Sequence, residues 1–301
     1  MILTVTLNPA VDKTYRIGHF EAGEVNRMRE AMSIAGGKGI NVAKILRQFH
    51  IPVATMGFVG GNSGNFIEDT MLELKADCRF THIAEETRTS TNILADDGMV
   101  TELLEPGPMV TQEEQIMFLK EFTGCIGDCE LVVFSGSAPR GVPDSIYEQL
   151  ITICNAMGIK TILDASGELL RKGIQGKPYL IKPNRKELET FVGKKLATEE
   201  ELIDEAHKLI ATGIQKVVIS LGAEGLLYVD ENQVLKEQAK PIEVVNTVAC
   251  GDTVVASLCM SEIQGDEVEI ALKKAVALSA ANATTMESAS IPMDTYLELL
   301  S

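Results

Sequence analysis

Short apolar segments rich in β-branched residues alternate along this chain with longer segments of helical periodicity. The short segments are residues 2–7, 53–59, 131–135, 159–164, 178–182 and 216–220. The helical segments include residues 63–75, 143–157 and 199–212, and later residues 251–263 and 268–285. Continuous apolar strands separated by helices are typical of parallel strands that helices bury on both faces. The pattern therefore predicts an α/β fold around a mostly parallel sheet.

Two stretches, at about residues 12–34 and 87–105, interrupt this order of strands and helices. In both of them polar and apolar side chains alternate. Such alternation is typical of antiparallel strand pairs exposed on one face. The two pieces could assemble into a small sheet that closes over a site as a lid, or they could be ordinary surface hairpins. The chain has no internal repeat and no low-complexity linker. We therefore expect residues 1–301 to form one domain, with lid strands inserted at about 12–34 and 87–105.

Composition narrows the choice of partners. With 45% hydrophobic residues among 301, the chain can bury a full core. A net charge of −16 argues against a nucleic-acid or anionic-membrane partner, because both require basic surface. We see no signal peptide and no membrane-spanning segment in the sequence. The six cysteines show no Cys-x-x-Cys spacing, which argues against a zinc site and favours a cytoplasmic protein.

Residues 246–252 read Asn-Thr-Val-Ala-Cys-Gly-Asp and lead directly into a helical pattern. A turn of small residues at a helix start directs free backbone N–H groups and the positive end of the helix dipole at one point, which suits a phosphate. Asp252, in the same turn, can accept a proton from an attacking hydroxyl. The segment therefore indicates phosphoryl transfer, although Gly-Asp at a helix start is also a common cap.

A second glycine cluster, residues 35–43, begins another helix that we expect to end near Gln48. The cluster is not a Walker A loop, which needs Ser or Thr after Gly-Lys and a further glycine upstream. No strand-linked Gly-x-Gly-x-x-Gly fingerprint occurs, which disfavours a nicotinamide dehydrogenase. The cluster does offer backbone that a ligand can approach closely, with Lys38 and Asn41 as donors.

Together these two segments resemble the signature regions of the ribokinase-like sugar kinases, the phosphofructokinase B family. Other segments agree in order and spacing: residues 6–12 (TLNPAVD), 25–27 (VNR), 135–141 (SGSAPRG), 182–188 (KPNRKEL) and 220–225 (SLGAEG). The resemblance covers essentially the whole chain and implies a three-layer α/β/α ribokinase-like domain with a small β-sheet lid. Residues 6–12 look most like the branch that contains 1-phosphofructokinase and tagatose-6-phosphate kinase.

The resemblance implies an acceptor site for a phosphosugar. Its residues would be Asp12, Arg27, Gly36, Gly37, Lys38, Asn41, Arg88 and Ser137. Asp12 and Asn41 would bind sugar hydroxyls, and the glycines would let the backbone approach the sugar. The cations would bind the sugar's phosphate, since an arginine fork matches phosphate oxygens. Arg27 and Arg88 fall in the proposed lid, so its closure would also exclude water, a competing acceptor.

The resemblance likewise implies a site for ATP and Mg²⁺. The nucleotide residues would be Lys182, Asn184, Ser220, Gly222, Gly225 and Asn282. Glu187, in the Asn-x-x-Glu motif, would help to position Mg²⁺ through water, since this ion keeps several of its waters. Taken alone, Glu187 also fits a surface position on a helix, and Asn282 fits a simple polar contact of a helix.

The expected reaction is in-line transfer of the γ-phosphoryl group of ATP to a hydroxyl of a ketohexose phosphate. Asp252 would be the base, and the N–H groups of Ala249, Cys250 and Gly251 would stabilise the transferring charge. The family usually has glycine at the first of these positions. If that position needs a positive φ, alanine costs on the order of 1 kcal/mol there. Cys250 is either an inert small residue or a thiol whose pKa the anion site lowers.

Fructose 1-phosphate, which would give fructose 1,6-bisphosphate, is the expected acceptor, and tagatose 6-phosphate is the alternative. A kinase for an unphosphorylated sugar or a nucleoside would not need the arginines. A non-catalytic sugar-phosphate sensor of the same fold would not need Asp252, Glu187 or Asn184. Exposed lid strands have unpaired edges that commonly pair with a partner, so we expect a homodimer.

Overall fold

The computed structural model describes residues 1–301. The strands are β1 (Ile2–Val5), β2 (Ala10–Ile17), β3 (Glu30–Gly36), β4 (Val53–Met56), β5 (Phe58–Val59), β6 (Asp77–Cys78), β7 (Thr81–His82), β8 (Thr89–Ala95), β9 (Val100–Leu104), β10 (Leu131–Ser135), β11 (Lys160–Asp164), β12 (Leu180–Ile181), β13 (Lys216–Ser220), β14 (Leu226–Val229) and β15 (Val234–Glu237). The α-helices are α1 (Lys38–Gln48), α2 (Gly61–Glu73), α3 (Gln112–Cys125), α4 (Ile146–Ala156), α5 (Gly167–Gly173), α6 (Arg185–Val192), α7 (Glu199–Ile210), α8 (Cys250–Gln264), α9 (Val268–Ala283) and α10 (Met293–Leu300). No helix has the length and apolar character needed to cross a membrane.

A nine-stranded central sheet has the order β15-β14-β13-β12-β11-β10-β1-β4-β6. The strands from β6 to β13 in this order pair in parallel, and only β14 and β15 run antiparallel at one edge. Because these strands are parallel, their carboxyl ends lie at the same edge of the sheet. The mostly parallel sheet expected from the sequence is confirmed.

Helices cover both faces of this sheet. Along β10, Val132 and Phe134 belong to one apolar layer, whereas Leu131 and Val133 belong to the other. Helices α3 to α7 pack in the first layer, and α1, α2, α8, α9 and α10 pack in the second. Each large apolar side chain buried in this way contributes about 1.5–3 kcal/mol to folding. The result is the predicted three-layer α/β/α domain.

A second sheet, which we call the lid sheet, has the strand order β3-β2-β8-β9. Its two hairpins, β2 with β3 and β8 with β9, are antiparallel as expected. The hairpins join through β2 and β8, which pair in parallel, a pairing on which the sequence made no prediction.

Candidate active site

The candidate site lies where the carboxyl ends of β10, β11 and β12 meet the start of α8. Asp164 is the last residue of β11, and Lys182 directly follows β12. Asp252 lies in the first turn of α8 and is 6% exposed. Ligands commonly bind at this edge of a parallel sheet, because the loops that follow the strands converge there.

The turn before α8, residues 246–252, presents backbone N–H groups without acceptors. The N–H groups of Ala249, Gly251 and Asp252 make no hydrogen bond within the protein. The N–H group of Cys250 donates instead to the carbonyl of Thr247 over 3.3 Å, although we expected it among the free donors. Free N–H groups at a helix start form an anion site. We call this segment the anion turn.

Ala249 adopts the left-handed conformation, with φ 65° and ψ 2°. The position that is usually glycine in the resembling family therefore does need a positive φ, and alanine costs on the order of 1 kcal/mol there. Asn282 holds the preceding peptide, since its Nδ2 donates to the carbonyl of Val248 over 2.9 Å. Its Oδ1 accepts the N–H of Ala289 over 3.0 Å.

Asn282 does not line the nucleotide cleft described below, contrary to the expectation of a nucleotide contact. The side chain is 1% exposed. Its Nδ2 binds the anion turn itself at Val248, and its Oδ1 binds the N–H of Ala289 outside the turn. The Cys250 thiol accepts a further bond from Nδ2 of Asn282 over 3.5 Å and donates to the carbonyl of Ser279 over 3.7 Å. Burial nevertheless raises the pKa of Cys250. The alternative of an activated thiol is thus disfavoured, because desolvation outweighs these bonds.

Asp252 is a buried carboxylate with one hydrogen-bond donor beside it. Its Oδ2 accepts a bond of 2.8 Å from Nδ2 of Asn41. Burial and the charge of Asp164 raise the pKa of Asp252 to about 6, although Lys38 opposes them. A carboxylate with a pKa near 6 is ionised at neutral pH and is still a useful base. Oδ1 of Asn41 is buried without a partner, so it can accept a ligand hydroxyl.

Two lysines converge on Asp164. The Nζ atoms of Lys38 and Lys182 each lie 3.3 Å from its Oδ1. Burial opposes ionisation, but these two ammonium groups hold the pKa of Asp164 below its usual range. Nζ of Lys38 also lies 3.9 Å from Oε1 of Glu187. Lys38 therefore faces acidic groups beside the anion turn. We had expected it instead to face a separate pocket for the phosphate of the sugar.

Asp164 was missed in the sequence, where it belongs to no motif. Its position as the last residue of a buried strand is the signal that could have found it. Lys182, its partner, also lies beside the anion turn, since a Cβ built on Gly251 would be 3.5 Å from its Nζ. Asp164 therefore fixes a buried ammonium group next to the start of α8.

On the other side of Asp252, the lid strand β2 brings Asp12 against the glycine cluster. A Cβ on Gly36 would collide with the carboxylate of Asp12, so only glycine allows this approach. Gly37 follows with φ 110° and ψ 142°, a conformation open to glycine, and α1 begins directly after it. Burial raises the pKa of Asp12 to about 6, against the charges of Arg88 and Lys44.

Arg88 and Ser137 meet at Asn8. The guanidinium of Arg88 donates to the carbonyl of Asn8 over 3.2 and 3.1 Å and to that of Glu105 over 3.1 Å. Oγ of Ser137 accepts a bond from Nδ2 of Asn8 over 3.2 Å. Arg27 is exposed in the loop between β2 and β3 and makes no ion pair or hydrogen bond. The structure thus brings Arg88 and Ser137 together near Asp12, but not Arg27.

A cleft of 690 Å³ opens on the nucleotide side of the anion turn. Most of the predicted nucleotide residues line it, together with the start of α8: Asn184, Ser220, Gly222, Gly225, Cys250 and Gly251. Apolar residues of α8 and α9 form another wall: Val254, Val276, Ala280 and Ala283. The volume is typical of sites for small organic ligands. A ligand with a flat apolar part and a phosphate tail matches this lining.

The Asn-x-x-Glu motif forms a capping box at the start of α6. Oδ1 of Asn184 accepts the N–H of Glu187, and Oε2 of Glu187 accepts the N–H of Asn184, each over 2.8 Å. Two carboxylate oxygens nearby remain outside hydrogen bonds. They are Oε1 of Glu187, near Lys38, and Oδ2 of Asp164, which has no partner. No group of three or more metal-ligating side chains is present. These residues fit Mg²⁺ bound mostly through waters and ligand phosphates.

A three-layer domain with a small second sheet and an anion turn at the carboxyl edge of its parallel strands is a ribokinase-like protein. Residues 5–295 match the pfkB family of carbohydrate kinases, and the chain belongs to that family.

Solved structures with the same fold include three named as phosphofructokinases. A Staphylococcus aureus protein provisionally named a phosphofructokinase is 31% identical, with a TM-score of 0.85 over 100% of this chain and 96% of that chain. The tetrameric inhibited form of phosphofructokinase-2 from Escherichia coli is 25% identical, with a TM-score of 0.91 over 100% and 99%. A possible 1-phosphofructokinase from Thermotoga maritima is 26% identical, with a TM-score of 0.89 over 99% and 97%.

Proposed function

We propose that this carbohydrate kinase transfers the γ-phosphoryl group of ATP to a hydroxyl of fructose 1-phosphate and so forms fructose 1,6-bisphosphate. The observation that carries the proposal is the position of Asp252 between the two halves of the site. Towards the nucleotide cleft, Cys250 and Gly251 of the same helical turn line the wall. Towards the lid sheet, Asn41 joins Asp252 to α1, which begins beside the Asp12 pocket.

The chemistry follows from this position. The acceptor hydroxyl oxygen bonds to the γ-phosphorus while Asp252 takes the hydroxyl proton. The bond from phosphorus to the bridging oxygen of ADP breaks in line, ADP leaves with the electron pair, and the proton later passes to water. The free N–H groups of Ala249 and Gly251 and the Lys182 ammonium group stabilise the charge on the phosphoryl oxygens.

Mg²⁺ bound to ATP would neutralise phosphate oxygens during this transfer. Glu187 and Asp164 would hold it through its waters, because each has a carboxylate oxygen outside the hydrogen bonds described above. Lys38 lies between these two carboxylates. We expect the ammonium group of Lys38 to move towards the phosphates when the nucleotide and the ion are bound.

The phosphate of the acceptor would bind at Arg88 and Ser137. Arg88 is half-buried, and carbonyl groups alone hold its guanidinium, with no carboxylate paired to it. A phosphate is therefore a stronger partner than those the arginine now has. The phosphofructokinase names of the structural relatives support a fructose phosphate, and the name of the Thermotoga maritima protein supports the 1-phosphate.

We also propose a homodimer formed through the lid sheet, in a cytoplasmic enzyme. Strand β9 is an edge strand with exposed apolar side chains, including Val100, Leu103 and Leu104. Exposed apolar edges favour pairing with another chain. All six cysteines are free thiols, which supports a reducing compartment. Light scattering of the wild type and of Leu103→Glu tests the dimer, which is refuted if both have the mass of one chain.

The function is tested by following ADP formation with fructose 1-phosphate, tagatose 6-phosphate, fructose 6-phosphate and unphosphorylated ketohexoses. We expect the highest kcat/KM with fructose 1-phosphate. We expect Arg88→Met to raise the KM of the phosphosugar at least about tenfold, through loss of a charge-assisted bond, with the KM of ATP unchanged. A preference for tagatose 6-phosphate would change the acceptor assignment. Absence of turnover with every sugar would refute the kinase and favour a sensor.

A further inference from the structure

Lys44, on α1, is a buried lysine without a carboxylate partner. The residue is 8% exposed, and its only side-chain hydrogen bond runs from Nζ to the carbonyl of Ser288 over 3.3 Å. The acidic groups that face it, Asp12 and Glu287, form no ion pair with it. Burial lowers the pKa of this ammonium group. A buried charge with so little compensation opposes folding, so stability alone does not explain its presence.

The partner of Lys44 belongs to the segment behind the anion turn, residues 284–291. Asn246, the first residue of the anion turn, binds this segment through Nδ2, which donates to the carbonyl of Met286 over 3.0 Å and to Oγ of Ser288 over 3.3 Å. Oδ1 of Asn246 then accepts the N–H of Val248 over 3.0 Å. The segment that Lys44 holds therefore fixes the N–H of Val248.

The carbonyl of Val248 is fixed from the same segment. Asn282 donates to this carbonyl and accepts the N–H of Ala289, the residue after Ser288. Both backbone polar groups of Val248 are thus held by side chains anchored in residues 284–291. The next residue, Ala249, has a positive φ that an alanine does not adopt unaided. Such a conformation persists only where the surroundings over-determine it.

Helix α1 contacts both the anion turn and the segment that holds it. Asn41 binds Asp252 at the end of the anion turn, and Lys44 binds Ser288 behind its start. The two residues are three positions apart and so lie on the same side of the helix. We propose that Lys44 is a positioning residue, which fixes the free N–H groups of the anion turn relative to the carboxylate of Asp252. The inference rests on the proposed kinase function.

The test compares Lys44→Met, Lys44→Arg and Lys274→Met with the wild type. Methionine matches the lysine stem and removes the charge, and arginine keeps the charge. Lys274 lies on α9, away from the anion turn, and pairs with Asp266. Its substitution is the control for the loss of a lysine. The readouts are kcat and both KM values with ATP and the best phosphosugar, together with the midpoint of thermal unfolding, Tm.

We expect Lys44→Met to lower kcat by about 10- to 100-fold, as a misplaced reacting group does. Its KM values should stay within about threefold and its Tm should be unchanged or higher, because a costly buried charge is gone. We expect Lys44→Arg to keep kcat within about threefold of the wild type and Lys274→Met to leave it unchanged.

Three results would overturn the inference: wild-type kcat in Lys44→Met, a loss of kcat in step with a falling Tm, or a loss of more than about tenfold in a stable Lys44→Arg. The second result would show that Lys44 only supports the fold. If Lys44→Met does not fold, Lys44→Arg decides. Absence of turnover in the wild type would instead refute the proposed function, so the two failures are distinguishable.

Discussion

Asn41 donates a 2.8 Å hydrogen bond from Nδ2 to Oδ2 of Asp252 and so joins α1 to α8 across 211 positions of the chain. The bond orients the carboxylate, and it leaves Oδ1 of Asn41 buried without a partner. The same amide can therefore hold the proposed base with one atom and an acceptor hydroxyl with the other. This arrangement places the hydroxyl next to the group that would take its proton.

Asp252→Asn should separate activity from stability. Without the base, we expect kcat to fall by about 10²–10⁴-fold, with ATP binding retained. The variant should also be more stable above pH 7, by up to about 3 kcal/mol, because it removes the buried carboxylate charge whose cost is reflected in the raised pKa of Asp252. Kinetics and thermal unfolding at pH 8 check both effects. Near-normal turnover would remove Asp252 from the role of base.

The pH dependence of activity and of stability follows from Asp252 and from Asp12, since burial raises both pKa values to about 6. Activity should decline below about pH 6, as the base becomes protonated. Each raised pKa means that the folded state holds its proton more tightly than the unfolded state does. The contribution to stability therefore grows as pH falls from about 6 to about 4 and is absent at higher pH.

The stability of the wild type minus that of Asp252→Asn isolates this contribution from the other titrating groups. The difference should become less negative as pH falls through 6 towards 4. It is measured by denaturant unfolding across that range. A difference that does not change with pH would contradict the raised pKa of Asp252.

Ala249→Gly should relieve the left-handed strain at the start of α8. Glycine adopts φ 65° freely, and part of that gain is offset by the greater freedom of glycine in the unfolded chain. We expect a gain of up to about 1 kcal/mol, with kcat at least retained. Ala256→Gly, in the interior of α8, is the control and should lose at least about 1 kcal/mol. A destabilised Ala249→Gly would contradict the assigned conformation.

Gly36→Ala should disturb the acceptor pocket alone. The added methyl group collides with the carboxylate of Asp12, so we expect the KM of the phosphosugar to rise at least about tenfold. The KM of ATP should not change, because the nucleotide cleft lies on the other side of Asp252. Gly124→Ala, on an open face of α3, is the matched control. Equal increases in both KM values would show a general disturbance of the fold.

Periodicity predicted the central sheet, its flanking helices and the existence of a small second sheet, because each depends on which face of an element is buried. The end of α1 at Gln48 also agrees with the sequence. The parallel pairing of β2 with β8 could not be predicted in this way, because periodicity says nothing about which strands become neighbours.

Single residues of the site were harder to predict. Asp164 and Lys44 lie outside the recognisable motifs, and each is defined by contacts with residues distant in the chain. Asn282 was placed in the nucleotide cleft by resemblance, but its buried side chain is bound to Val248 of the anion turn and to Ala289 and does not line the cleft. A motif fixes the position of the backbone better than it fixes the direction in which a particular side chain points.

Only Gly37 separates the last residue of the lid strand β3 from the first residue of α1. A rigid sheet joined to a rigid helix through one residue can rotate relative to it only about the two backbone bonds of that residue. On this side of the lid sheet, we therefore expect any opening to be a rotation about the φ and ψ bonds of Gly37 and not a gradual bending of a loop. Gly37 directly precedes α1, the helix that carries Asn41. The hinge of the lid sheet and the residue that orients the proposed base therefore belong to one helix.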